Sequence, residues 1–189
     1  MSMQSFNEVI ALQKAPGTLF NTYTTAKSII NKAALVTLPP NWLVIGKMLR
    51  ITALMGLSNI VTTPGTITFQ IMIGSVIAFT TGAIQLNATA HTLLPLWFEA
   101  ILTLRAEGET ANANFMGMAR VQGIQPTLTA AQVDAPNTPG IFSAPASTPA
   151  VGTGFDSTIS NVVDFWAGFS ISNGGNGVQV QQYIVEALN

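Results

Sequence analysis

The sequence predicts an all-β chain folded as an antiparallel β-sandwich, and three observations predict it. Apolar residues recur with period two along several runs, the spacing that sends successive side chains to opposite faces of a strand. Clusters of Gly, Pro, Asn and Thr punctuate those runs as turns. No run carries the i, i+3, i+4, i+7 spacing of an amphipathic helix over a dozen residues, so about seven to ten strands make the body.

Taken in order, residues 1–41 are mixed and read as an N-terminal arm or edge segment. Ala15-Pro16-Gly17-Thr18 makes a turn, Thr22 to Thr25 is strand-like, and Pro39-Pro40-Asn41 ends the short run Ala34 to Leu38. The sandwich is expected over 42–189. Leu49, Ile51 and Ala53 fall on one face of a strand and Arg50 and Thr52 on the other. Thr62-Thr63-Pro64-Gly65 suits a type II turn, with Pro presetting one dihedral and Gly permitting the positive φ after it. Ile67, Phe69, Ile71 and Ile73 then share a face against Thr66, Thr68, Gln70 and Met72, Gly74-Ser75 interrupts, and Val76 to Thr80 resumes.

The strongest pair of runs flanks Glu107-Gly108-Glu109-Thr110. Phe98, Ala100, Leu102 and Leu104 share one face, and Ala113, Phe115, Gly117, Ala119 and Val121 share the matching one. The opposite face then gathers Trp97, Glu99, Ile101, Met116, Met118 and Arg120, too apolar for an ordinary solvent-facing sheet. Trp97 and Arg120 are placed for a cation–π contact, and Met116 and Met118 supply adaptable apolar surface.

Residues 125–156 form a long loop rich in Pro, Ala, Thr, Ser and Gly, where Pro126, Pro136, Pro139, Pro145 and Pro149 oppose a regular ladder. Its apolar anchors, Ile141, Phe142, Val151 and Phe155, are expected to lie across the domain or a neighbour. Val163 to Ile171 alternates again, Ser172 to Gly177 reads as a hairpin loop, and Val178 to Leu188 as the return strand. Val178 and Val180 are out of phase with Tyr183, Val185 and Ala187, so a bulge near Gln181-Gln182 is required. The candidate interface is therefore Trp97, Ile101, Met116, Met118, Arg120, Phe142 and Phe155.

Composition narrows the function. Only 8% of the 189 residues are charged and 48% are hydrophobic, with mean hydropathy +0.43. Soluble proteins carry about 25% charge. With so little repulsion between copies, residence in a permanent assembly is the natural reading. No apolar stretch reaches the roughly 18 residues of a membrane-spanning helix. The start, Met1 to Glu8, lacks the pattern of a signal peptide, so export is not expected. Cysteine is absent, which excludes disulfides and thiolate metal sites. A net charge of −1 gives no drive towards nucleic acid. The halves differ: over 1–94 five basic residues face Glu8 alone, a net of +4, and over 95–189 two face seven acids, a net of −5.

Groups for catalysis are few. His91 is the single histidine, in no recognisable spacing with a carboxylate, and Glu107 and Glu109 sit in a hairpin turn as solvated acids. Gly174-Gly175-Asn176-Gly177 serves a turn and matches no phosphate loop. No enzyme activity, cofactor, metal or small-molecule substrate is expected.

Several stretches carry a resemblance: Asn21 to Lys27 apart from Tyr23, Leu38-Pro39, Ile45 to Ile51, Val61 to Phe69, Thr80 to Ile84, Leu102 to Ala106, Gly152 to Thr158 and Gln182 to Asn189. Together they are similar to cyanophage-like structural proteins of tailed-phage virions, where the related sequences often read Leu-Pro-Ala-Asn against Pro39-Pro40-Asn41 here. The resemblance implies a jelly-roll form of the antiparallel β-sandwich, acting as a capsid decoration or cement protein, to which residues 1–41 would add an extended N-terminal arm. That role implies a homotrimer bound to the major capsid protein on the virion's outer head surface, after synthesis in the host cytoplasm. Two other readings stay open: a tail, neck or fibre protein that binds receptors or host glycans, marked by aromatic platforms and amide side chains, and a secreted sugar-binding or hydrolytic module.

Overall fold

The computed structural model describes residues 7–60, 62–123, 140–145 and 147–188. In chain order its strands are β1 (Asn7–Leu12), β2 (Phe20–Asn21), β3 (Lys27–Ser28), β4 (Val36–Leu38), β5 (Met48–Asn59), β6 (Thr66–Ile73) and β7 (Val76–Thr80). There follow β8 (Ile84–Gln85), β9 (His91–Ala106), β10 (Asn114–Gly123), β11 (Gly140–Ala144), β12 (Asn161–Phe169) and β13 (Gly177–Leu188). Among the described residues the helical content is one 3-10 turn, Lys32–Ala34, capped by the Asn31 side chain.

The strands form two antiparallel sheets. The larger runs β1-β13-β5-β9-β10-β11, with β2 also on β13; the smaller runs β3-β12-β6-β7, with β4 on β12 and β8 on β6. Successive parts of the chain alternate between the sheets, so that β13 lies between β1 and β5 while β12 lies between β3 and β6. That interleaving of two Greek keys is a jelly roll, to which β10 and β11 add an extension beyond β9.

The alternation read from the sequence decides which side chains meet inside. In β5, Leu49, Ile51, Ala53, Met55 and Leu57 are buried while Arg50, Thr52 and Leu54 face outward. The β9–β10 hairpin puts the two apolar sets on one face as expected, in a register with Leu102 opposite Gly117, Ala100 opposite Ala119 and Phe98 opposite Val121. A bulky neighbour explains the glycine: a Cβ on Gly117 would lie 2.5 Å from the Phe79 ring of β7 in the other sheet. At the centre, Phe98 of the larger sheet packs 4.7 Å, ring to ring, from Phe165 of the smaller, which stacks on Phe69 and Tyr183. Gly65 has the anticipated positive φ of 73°, and β13 slips register between Val180 and Gln182, where its hydrophobic phase changes.

Several expectations are corrected. The described part of 1–41 is the edge segment and not a separate arm: β1 and β2 pair with β13, β3 and β4 pair with β12, and Phe20, Ile29, Ile30, Ala34 and Leu38 are core residues. Thr22 to Thr25 is no strand but the corner where the chain leaves one sheet for the other, with Thr22 at a φ of 61°. Gly74-Ser75 reverses the chain instead of interrupting a strand, because Ile73 pairs with Val76. The Ser172 to Gly177 loop is not a hairpin: β12 belongs to the smaller sheet and β13 to the larger, so the loop bridges the layers.

Much of the expected long loop is paired structure. Residues 124–139 lie outside the described residues, but β11 pairs with the last half of β10. Val151 and Phe155 then bridge to Met116 and Ala113, so the same stretch covers the rest of β10. Gly152 and Gly154 allow that approach, since added Cβ atoms would lie 2.0 Å and 1.9 Å from the carbonyl oxygens of Ala78 and Ala111. An unpaired strand edge invites association, and this edge is covered.

Candidate binding face

The outer face of the larger sheet is built by three long strands whose registers align their outward residues in rows. Leu54 of β5, Trp97 of β9 and Gln122 of β10 form one row; Thr52, Glu99 and Arg120 form the next; Arg50, Ile101 and Met118 the third. Ladder pairing on both sides of β9 fixes these positions, so the face is rigid before anything binds. Trp97 is 44%, Ile101 41% and Met118 55% exposed, large values for residues of this size and hydrophobicity.

The first two rows enclose a groove of about 580 Å³, inside the range of about 300–1,000 Å³ of small-molecule sites. Leu54, Pro95 and Trp97 supply its apolar surface, and Glu99, Arg120 and Gln122 its polar rim. Arg120 donates through Nη2 to the side-chain oxygen Oε1 of Gln122, which holds both side chains along β10. Beside them Arg50 donates to Glu186 at 3.3 Å and stands 3.8 Å from Glu99. The expected Trp97–Arg120 cation–π contact does not form among the described residues; Lys27 over Tyr23 and Lys47 over Trp42 do, at 3.6 and 3.7 Å.

Of the seven interface candidates, Trp97, Ile101, Met116, Met118 and Arg120 share this one face. Phe142 and Phe155 do not join them. Both are buried in the core, Phe155 stacked on Phe115, because their segments pair with β10 and turn these rings inward. Leu54 and Gln122 were missed. Each follows from extending the alternation of Arg50 and Thr52, or of Met118 and Arg120, by two more residues.

Three carboxylates away from this face are tied into the fold. Glu107 accepts from the Ile45 backbone N–H at 3.2 Å. Asp164 accepts from Ser28 Oγ, the Phe165 N–H and Trp166 Nε1, each at 2.7 Å. Asp156 accepts from the Thr158 hydroxyl and, with the Thr110 and Thr158 backbone N–H groups, these bonds hold its carboxyl below the usual carboxylate range. His91 opens β9 opposite Asn59 of β5, with Nε2 buried and without a partner among the described residues. Among the described residues no cluster of three or more His, Asp or Glu is placed to hold a metal ion, and no helix is long and apolar enough to cross a membrane.

No protein-family model matches the chain, and no curated protein matches it. Among solved structures it is similar to the CBM2 module of the evolved Dit of Lactobacillus casei BL23 phage J-1. The identity is 13% and the TM-score 0.39, over 99% of this chain and 98% of that one.

Proposed function

We propose that this chain is a non-catalytic structural protein of a tailed-phage virion, a decoration protein that binds the major capsid protein on the outer head surface as a homo-oligomer, three copies being the first expectation. One observation carries the reading: the apolar outer face of the larger sheet, where Trp97, Ile101 and Met118 stand exposed on a protein with little charge to keep copies apart. The sequence resemblance to virion proteins supports it. Burying such a face yields roughly 25 cal/mol per Å² of apolar area, less the cost of association. An oligomer that grips several shell subunits makes pressure break many contacts together. The test is head binding by the double variant Ile101→Asp, Met118→Asp. The folded variant is expected to leave decoration-free heads bare, and wild-type occupancy in images of those particles removes this reading.

A second reading, a tail, neck or fibre protein that binds glycans, is favoured by a different observation. The groove beside Trp97 combines an exposed aromatic plate with a polar rim that includes an amide side chain. Copy number per particle separates the two, since a decoration protein scales with the shell and a tail part does not.

A further inference from the structure

We infer that the groove beside Trp97 is a binding site for an uncharged saccharide ring, with Trp97 as its stacking plate; this rests on the glycan-binding reading above. The chain has three tryptophans, and two are engaged within the fold. Trp42 lies under the Lys47 ammonium at 3.7 Å, and Trp166 donates its indole N–H to Asp164 at 2.7 Å. Trp97, among the described residues, has neither kind of partner, and the groove opens on it.

The surroundings specify the ligand class. A sugar ring presents an apolar C–H face and a rim of hydroxyls that both donate and accept hydrogen bonds. The groove offers the complement: the indole with Leu54 and Pro95 as apolar surface, and beside it a carboxylate acceptor (Glu99), guanidinium donors (Arg120) and a carboxamide that does both (Gln122). The charges cancel locally. Glu99 stands across the ladder from Arg120, and the neighbouring Arg50 is answered by Glu186 at 3.3 Å. A balanced field gives no attraction to a polyanion, whose binding is led by uncompensated Lys and Arg. Two hydrogen-bonded neighbours flank β9, so little ordering cost accompanies binding.

The experiment titrates the purified full-length protein with cellotetraose, maltotetraose, mannotetraose and galactotetraose, with heparin and polygalacturonate as charged comparisons, following tryptophan emission and calorimetric heat. At least one neutral probe is expected to shift the emission saturably. Trp97→Ala should weaken that binding about tenfold or more and abolish the shift, Gln122→Ala should weaken it several-fold, and Trp166→Phe should leave the affinity unchanged. Neutral probes that bind Trp97→Ala as tightly as wild type overturn this site while leaving a glycan-binding protein. Binding of the charged polymers alone overturns the ligand class. No saccharide binding, with Trp97→Ala instead losing self-association or head attachment, makes the face a protein contact and overturns the inference and the reading beneath it.

Discussion

Trp166 on the smaller sheet and Trp97 on the larger both point away from the core, each on a strand flanked by neighbours on both sides. Their surroundings differ. Around Trp166 the polar groups answer one another: Asp164 takes the indole N–H and the Ser28 hydroxyl, and β3 and β4 lie along the strand's edge. Around Trp97 the side chains of Ile101 and Met118 stand exposed, and Leu54 and the polar side chains line a groove. The same residue type at the same kind of position is thus half-buried and hydrogen-bonded in one sheet and presented in the other. Burial of an indole by its own chain stabilises the fold, whereas an indole left open contributes little until a ligand covers it.

The largest test of this contrast removes residues 1–41. The smaller sheet's face is completed by β3 and β4, and the deleted stretch also supplies Phe20, Ile29 and Leu38 to the core. The truncated chain is expected to lose cooperative unfolding altogether; a sharp thermal transition near that of the full chain would return these residues to the status of an arm.

A smaller effect concerns the layer between the two faces. Tyr183 is fully buried and its hydroxyl has no partner among the described residues, so burial, assisted by the charge of Asp164, pushes the phenol far above its usual range. Between the unfolded value near pH 10 and the raised folded value, the native state holds a proton that the unfolded chain has lost. Stability therefore falls as pH rises above about 10. Tyr183→Phe should flatten that alkaline slope and change neutral-pH stability by no more than about 1 kcal/mol. Absorbance at the tyrosinate band should show Tyr183 ionising only as the chain unfolds; its ionisation in the folded protein contradicts the burial.

The finest comparison sets Trp166→Phe against Trp97→Phe in denaturant melts. The first breaks a hydrogen bond to a half-exposed carboxylate and should cost about 1 kcal/mol; the second should stay within about 0.5 kcal/mol. Equal costs would mean that the two faces are sealed alike.

Long alternating strands were legible. Strands β5, β6, β9 and β10 and the bulge before Gln182 followed from parity, as did the outward phase of Trp97, Ile101 and Met118, while the positive φ of Gly65 followed from its place after Pro64. Two-residue strands such as β2, β3 and β8 are too short to carry a period. The stretch around Phe142 and Phe155 was misread for another reason. Its composition signals a loop, yet Gly152 and Gly154 let the backbone press against Ala78 and Ala111 and pair with β10. The groove was only half legible, because Leu54, Trp97 and Gln122 come from three separated strands.

By itself the sequence determined which side of each long strand faces inward, because the two-residue repeat of the pleat is local and every side chain obeys it. Only the tertiary structure decided which strands are neighbours: that Val178 to Leu188 leaves Val163 to Phe169 for the other sheet, that β1 to β4 close both layers, and that Trp97 opens on a groove. Neighbour choice depends on contacts between residues far apart in the chain, and strand parity is the same for every neighbour a strand might have.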